Sequence, residues 1–585
     1  MSAAGSGEKQ RSSLMSTFFL YSKSLLKNAS GPLFSSGCKR GFSKIVLGLF
    51  ALMLTAAALP AACLTSASDP GCVRFAMRTD SSFDTYTNDP ASYASWLNGH
   101  FWRMQTSAGY FDGKLSWFPN AWAYVDSYAV YKSSDLVSQH PEWLLHDEQG
   151  NALFIPWGCS NGSCPQYAAD ISNNDYRNWW IQRAQAMIAK GYKGLWIDDV
   201  NLVMQVGDGT GRTTAPVDRA TGLPMTTQAW EKYFADFMTQ VRQALPSAEI
   251  LHNTIWYAGS GARGTDPYVQ QEIKAADWIN RERGVSDAGL KGDDGQWSVQ
   301  EFLRFVDIVH SLGSNINIEE FSMNGEYGVA GYFLVSSGTD AFGAGVGPNN
   351  WPAVLDVSLG NPQGARYGWN GLIRRDFANG MVLLNPPDKP TVTVNVDGSY
   401  VDSNGNAVST VTLAGKQGIV LIGTPAVQEV VAVPVRMNVC GVAAGVFGSD
   451  QYFDGGHCDK FTATVDLSKA DGAAPEAVYQ SKRTTNPGAP GFSYVVTNLA
   501  EGHAYHVRLH FADDQSWNAG NRVFNVFVNG KLVLANFDIY AAAGARLRAV
   551  VKDVYSVKPD SNGNIIIQYQ NVKGNALASG ISILP

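Results

Sequence analysis

At roughly 150 residues per domain, a chain of 585 residues has room for three or four domains, or fewer if one is a barrel. Its 59 Gly, 27 Phe, 24 Tyr and 16 Trp, with only 16% charged residues, exclude a largely disordered chain, and the absence of a Gly period or sustained heptads excludes collagen and coiled coil. The formal charge of −7 divides unevenly: residues 1–63 hold seven Lys/Arg and one acid, leaving 37 basic and 50 acidic residues in a body without the basic face that nucleic acid requires.

The first element is an address. Ile45 to Leu59 is an apolar run preceded by Lys39, Arg40 and Lys44 and followed by Pro60-Ala61-Ala62-Cys63, the order of a secretory signal and short for a membrane span. The stretch ahead of it is long, so either translation starts at Met15 or later, or the segment stays as an uncleaved membrane anchor. Ala61-Ala62-Cys63 also resembles the end of a lipoprotein signal, with Pro60 where a branched aliphatic is usual. Export to the periplasm, cell surface or medium is the expectation. Cysteine usage agrees: Cys159 with Cys164 and Cys440 with Cys458 bracket short Gly- or Asn-bearing loops and are read as two local disulfides, with Cys72 left unpaired if Cys63 is removed or acylated. No His stands at zinc-ligand spacing from these pairs, so neither a metal nor a cofactor is expected.

From Cys72 to Arg366 strand-like runs alternate with amphipathic helices. The predicted elements are a strand at Ala121 to Val130, a helix at Tyr176 to Lys190, the strand KGLWIDDV and a helix at Thr227 to Leu245. Strands AEILHNTIW and ADWINRE, a helix at Phe302 to Leu312, and strands NINIEEF and GYFLVSS follow. This rhythm predicts a (β/α)8 barrel; a doubly wound sheet is the alternative, though no GxGxxG opens a βα unit. From 367 to 424 the pattern becomes short strands split by Gly, Asn and Pro, a small antiparallel β-sandwich module. VQEVVAVPV reads as a linker strand, and 436–585 as a second all-β domain.

Barrel enzymes carry their chemistry at the C-terminal ends of strands. Acids stand there at Asp126, Asp170, Asp198, Asp199, Glu282, Glu319 and Glu320, and no serine elbow, Walker loop or HExxH competes with them. Paired carboxylates facing a groove are what glycoside hydrolysis needs. Any one such acid can equally be a helix cap or an ion-pair partner, and Asp170 in particular precedes a helix start. Asp198 and Asp199 point to opposite sides of a strand, so only one can face the axis.

HPEWLLHDEQGN, YAADISNNDYRNWW and KGLWIDDVN resemble, in order, a group of hypothetical glycoside hydrolases built on TIM barrels, and are more distantly similar to barrels containing endo-galactosaminidases of biofilm polysaccharides. RRDFANGMVLLNPP resembles the β module that follows such barrels. The resemblance, covering Cys72 to Gly423, implies catalytic acids at Asp198, from GLWID, and Glu282, from INRERG. Asp198 is then the nucleophile or base and Glu282 the proton donor, with Asp126 and Asp170 positioning substrate. A separation of about 5 Å would mean retention and about 6.5–9.5 Å inversion.

SDQYFDGG, AVYQSKR, YHVRLHFADD, RVFNVFVNGKLVLANFDIY and NALASGISIL follow the pattern of malectin-like sugar-binding β-sandwiches. The matching positions imply Tyr452, Tyr479 and Asn575 as ligand contacts, with Trp517 the first aromatic after Gln515-Ser516, where the animal family member has an aromatic pair. The chain is thus expected to be an exported glycoside hydrolase acting on a polysaccharide or oligosaccharide. The rivals are a non-catalytic glycan-binding or adhesion protein on a barrel scaffold and a membrane-anchored structural protein.

Overall fold

A computed structural model describes residues 69–585 apart from 80, 157, 160–162, 255–263, 294 and 426–432. The leader with Cys63, the end of AEILHNTIW and most of VQEVVAVPV lie outside the described residues.

Eight parallel strands form the first sheet: β1 (Ala76–Arg78), β2 (Arg103–Ser107), β3 (Ala121–Asp126), β4 (Gly194–Asp198), β5 (Glu249–Thr254), β6 (Trp278–Glu282), β7 (Asn315–Glu319) and β8 (Ala341–Gly343). They lie in chain order. A parallel bridge between Phe75 and Phe342, with the Phe342 N–H donating to Arg74 O at 2.9 Å, closes β8 onto β1. The expected barrel is therefore present. Its helices are uneven: Asn174–Ala189, Thr227–Ala244, Pro267–Ala275 and Val299–Ser311 cover the outside, while β2 and β8 are followed only by 3-10 turns.

Alternation along each strand sorts the side chains. Leu195, Ile197, Ile250, Ile279, Ile316 and Ile318 point out under the helices and are fully buried. Inward, the lower barrel is filled by Trp122, Trp196, Trp278, Leu251, Ala76 and Ala341, with Trp102 and Tyr124 against them. Trp102 meets Trp122 and Trp278 edge-on at 5.4 and 5.1 Å. Below them Arg103 forks onto Glu249, whose Oε2 also accepts from Trp122 Nε1 at 2.6 Å. The barrel floor is thus a packed aromatic plug seated on an ion pair, and the layers above the plug are polar. Gly194 is required where β4 starts, because a Cβ there would lie 2.0 Å from Glu249 O.

Two predicted strands are corrected. Ala121 to Val130 is not one element: the Asp126 carboxylate accepts the N–H groups of Tyr128 and Ala129 at 2.9 and 2.6 Å, turning the chain so that Ala129–Tyr131 pairs antiparallel with Gln166–Ala168. GYFLVSS belongs to a helix, Tyr327–Val335, in which every residue is buried. An apolar run without periodicity reads alike for a buried strand and a helix covered on all sides.

That helix is covered by the next module, a six-stranded antiparallel sheet running Tyr367–Trp369, Leu372–Phe377, Gly380–Asn385, Gln417–Pro425, Val392–Val401, Ala407–Leu413. Val382, Leu384 and Val420 join the barrel's core, while Leu383, Val394, Val411 and Leu421 form the module's own. The C-terminal region packs a four-stranded sheet (Val435–Asn438, Gly580–Leu584, Tyr505–Phe511, Val550–Val557) on a five-stranded one built around Gly491–Val496, Ile565–Lys573 and Val523–Val528. Phe492, Leu509, Phe511, Phe524 and Ile567 fill the space between them. The Cys159–Cys164 and Cys440–Cys458 disulfides are both present, and Cys72 is disulfide-bonded as well.

Candidate active site

The inward positions of β4 to β7 build three layers toward the C-terminal mouth. Above the aromatic plug lies a row of amides: Asn253 on β5, Asn280 on β6 and Asn317 on β7. Asn317 Nδ2 donates to Asn280 Oδ1 at 2.5 Å, and Asn280 Nδ2 donates to Asn253 Oδ1 at 2.8 Å. Above the amides stand three carboxylates, Asp198, Glu282 and Glu319, each two residues beyond an inward-facing partner on its own strand.

One amide joins two of them. Asn253 Nδ2 lies 2.8 Å from Asp198 Oδ1 and 3.2 Å from Glu282 Oε2, which bounds the gap between those oxygens at about 6 Å. Asp198 also accepts Tyr124 OH at 2.8 Å and the N–H of Asp199 at 2.9 Å. Tyr124 stacks on Trp196 at 5.7 Å, one layer below Asp198. Asn280 Nδ2 holds Glu319 Oε2 at 2.6 Å, and Arg78 from β1 places Nη1 3.6 Å from Glu282 and 3.4 Å from Glu319. Burial pushes the Glu319 carboxyl up to about 7, with Glu282 and Asp198 adding to it against the pull of Arg78 and Asn280. Beside Arg78 and Glu319 opens a cavity of about 430 Å³, lined also by Tyr86, Phe321 and Asn350.

The backbone turns sharply after two of these acids. Asp199 and Arg283 have φ of 55° and 69°, left-handed conformations that cost a non-glycine residue about 1 kcal/mol or more. Asp199 thereby leaves the strand, and its Oδ1 accepts from Asn201 at 3.1 Å.

Of the predicted residues, Asp198 and Glu282 are brought together. Asp126 pairs in register with Asp198, but one of its oxygens is spent on the turn that ends β3. Burial and the Asp199 and Asp198 carboxylates push it well above the usual carboxylate range. Asp170 lies outside the group: it accepts Ser172 N and Oγ at 2.9 and 2.5 Å and pairs with Arg219 at 3.0 Å, the work of a turn preceding a helix. Glu320 turns its carboxylate away from the mouth, accepting the Ser286 N–H at 3.3 Å. Glu319 and the asparagine row went unassigned in the sequence. Their signal is the repeated inward Asn then acid, Asn280–Glu282 in WINRE and Asn317–Glu319 in NINIE.

The second set of predicted residues separates. Trp517 is 64% exposed on the loop after the Tyr505–Phe511 strand, with the Arg546 guanidinium 3.7 Å above its ring. Tyr479, expected to touch ligand, has no exposed surface: its hydroxyl meets His510 Nδ1 at 3.0 Å and accepts the Ala474 N–H, so the structure places it in the packing instead. Tyr452, also expected on the ligand, lies against Tyr367 of the preceding module, ring centroids 6.2 Å apart, with its N–H donating to Gly368 O. Asn575 gives its carbonyl to Arg522 at the loop end.

Comparison with known proteins divides the chain in the same way. Residues 110–381 match the family model described as hypothetical glycosyl hydrolase family 15, and residues 437–581 match the malectin domain. The chain is 32% identical over 90 residues to the probable receptor-like protein kinase At5g61350 of Arabidopsis thaliana, covering 14% of this chain and 11% of the relative. It is 31% identical over 86 residues to the probable receptor-like protein kinase At1g30570 of the same plant, covering 14% and 10%. The chain thus spans about a tenth of these curated relatives. Among solved structures, the ANX2 ectodomain and the ANXUR1 extracellular domain from Arabidopsis thaliana match at 14% and 15% identity, with TM-scores of 0.24 and 0.23, covering 36% and 38% of this chain and 82% and 88% of theirs. The chain carries a glycosyl-hydrolase-like barrel and a malectin domain.

Proposed function

We propose that this chain, a glycosyl-hydrolase-like barrel joined to a malectin domain, is an exported enzyme that hydrolyses glycosidic bonds of a polysaccharide or oligosaccharide. The observation that carries the reading is the single Asn253 amide bonded to both Asp198 and Glu282 at the barrel mouth. Asp198, held by three donors, suits the anionic role of nucleophile or base. Glu282 is the proton donor, the more accessible of the two glutamates, with a side chain 25% exposed against 5% for Glu319. With the bonded oxygens of Asp198 and Glu282 at most about 6 Å apart, their gap falls short of the inverting range of about 6.5–9.5 Å, which favours retention. In a retaining cycle Asp198 attacks the anomeric carbon while Glu282 protonates the departing oxygen. Glu282 then takes a proton from the water that releases the sugar.

Glu319 is the second candidate donor, favoured by burial that pushes it up to about 7. Two disulfides and the malectin domain point to an oxidising, extracellular setting, and among the described residues no helix is long and apolar enough to cross a membrane. A polysaccharide release screen on the full chain tests the reading. Asp198→Asn and Glu282→Gln should each lower turnover by roughly three orders of magnitude or more with melting nearly unchanged. Release of sugar at wild-type rate by either variant would remove that residue from the chemistry, and release from no glycan by the wild type would favour the non-catalytic binding protein.

A further inference from the structure

The rim of the mouth is charged in a way the hydrolytic pair does not need. Phe321, two residues beyond Glu319, is 49% exposed and lines the 430 Å³ cavity. Two guanidinium groups attend its ring: Arg78 at 5.4 Å from the centroid and Arg283 at 5.7 Å. A neutral sugar is served by an aromatic face with amide and hydroxyl partners. Paired guanidinium forks match a carboxylate.

Neither arginine is used up inside the protein. Arg78 approaches Glu282 and Glu319 through one nitrogen, Nη1, at 3.6 and 3.4 Å, and its side chain is 41% exposed. Its Nε and Nη2 have no partner among the described residues. Arg283 is exposed, holds a left-handed backbone and has no acidic partner among the described residues. A strained position without an internal ion pair in return is where a ligand contact would repay the cost.

We infer that the saccharide taken at the barrel mouth carries a carboxylate, received by Arg78 and Arg283 around the Phe321 ring. The inference rests on the hydrolase reading for the place of the sugar and narrows its substrate from any glycan to an acidic one. The nearby acids do not forbid it. Asp198 and Glu282 lie at the strand ends, bonded to Asn253 and Tyr124, while burial keeps Glu319 protonated up to about 7 and lifts Asp126 well above the usual carboxylate range. Asp199 is held by Asn201.

The test is binding to the full chain carrying Asp198→Asn, so that ligand is not consumed. The probes are oligogalacturonate and oligoalginate, a neutral cello-oligosaccharide, and a sulfated oligosaccharide. The uronates should bind about tenfold or more tightly than the neutral probe at low salt, the preference shrinking as salt rises. Arg283→Gln should erase most of that preference, and Arg283→Lys should restore only part of it, because the ammonium lacks the planar fork. Equal binding of the neutral probe, a preference for sulfate, or an unchanged preference in Arg283→Gln would each overturn the inference. So would a preference lost in Trp517→Ala and kept in Arg283→Gln, which would assign it to the malectin domain. Wild-type chain that cleaves only neutral glycans defeats the acidic substrate and leaves the hydrolase. Uronates bound through Arg283 but cleaved by no form of the chain defeat the hydrolase and leave the acidic ligand.

Discussion

Glu319 is 4% exposed, accepts a single amide hydrogen bond and shares its arginine with a second glutamate, so burial outweighs its partners and lifts it from 4.5 to about 7. The consequence for stability has a definite sign. The folded state binds this proton more tightly than the unfolded chain, so the stabilisation is fully present below 4.5 and is lost as pH rises through about 7. Glu319→Gln, which resembles the protonated side chain, should therefore match wild type near pH 4.5. By pH 8 it should be more stable, by on the order of 3 kcal/mol. Urea melts at the two pH values check this, and a variant equally stable to wild type at pH 8 would contradict the buried anion. The same variant separates the two donor assignments. If Glu282 gives the proton, Glu319→Gln keeps its activity; if Glu319 gives it, the activity and the limb near pH 7 disappear together.

At the scale of the element, the helix Tyr327–Val335 shows how packing overrides local preference. It carries two glycines in nine residues, yet both sit where a side chain would collide. A Cβ at Gly331 would meet Val285 Cγ2 at 2.6 Å, and one at Gly328 would meet the Glu320 carboxyl at 2.8 Å. Intrinsic propensity favours Ala over Gly in a helix by about 1 kcal/mol. Gly331→Ala should nevertheless destabilise, by roughly 1–2 kcal/mol, because overpacking costs more than the backbone gains. Gly99, in the helix Pro90–His100, has nothing within 4 Å of its would-be Cβ. Gly99→Ala should stabilise, by up to about 1 kcal/mol. Thermal melts of the two variants should move in opposite directions, and parallel shifts would mean that the helix is not clamped between barrel and sheet.

At the scale of the molecule, the malectin domain is fastened to the barrel through the helix Val299–Ser311. Arg304 donates to the carbonyls of Gly491 and Asp454 at 2.6 and 2.9 Å, and Asn486 donates to Glu301 at 2.5 Å. Arg366 pairs with Asp307 at 2.6 Å and approaches Asp454 at 3.5 Å. Gly455 suits this junction, since its φ is 74° and a Cβ there would displace the Arg304 guanidinium. Arg304→Ala removes two charge-assisted bonds worth roughly 3 kcal/mol together. Calorimetry should show one shared transition in wild type separating into two in the variant. Identical traces would mean that the domains melt independently already, and that the junction positions the malectin domain without stabilising it.

Local regularities carried much of this protein in the sequence. Two-residue alternation places Asp198 above Trp196, and the helices at 174–189, 227–244 and 299–311 follow from apolar spacing. The two close cysteine pairs had short loops to close and little choice of partner. Alternation assigns a residue to a face but says nothing of which atoms stand opposite it. That Asn253 reaches both Asp198 and Glu282 depends on the register of three neighbouring strands. Burial is likewise a sum over neighbours distant in sequence. Tyr479 and Trp517 both read as ligand aromatics, and only the packed sandwich separates a tyrosine bonded to His510 in the interior from a tryptophan in solvent. GYFLVSS became a helix because the β module covers its far side, a fact held by residues some fifty to ninety positions further along the chain. The sequence by itself determined where the barrel strands end in acids and that neighbours such as Asp198 and Asp199 must take opposite faces; the tertiary structure alone decided which face is the axis and which acids meet there, because meeting is set by contacts between strands and modules that no single segment encodes.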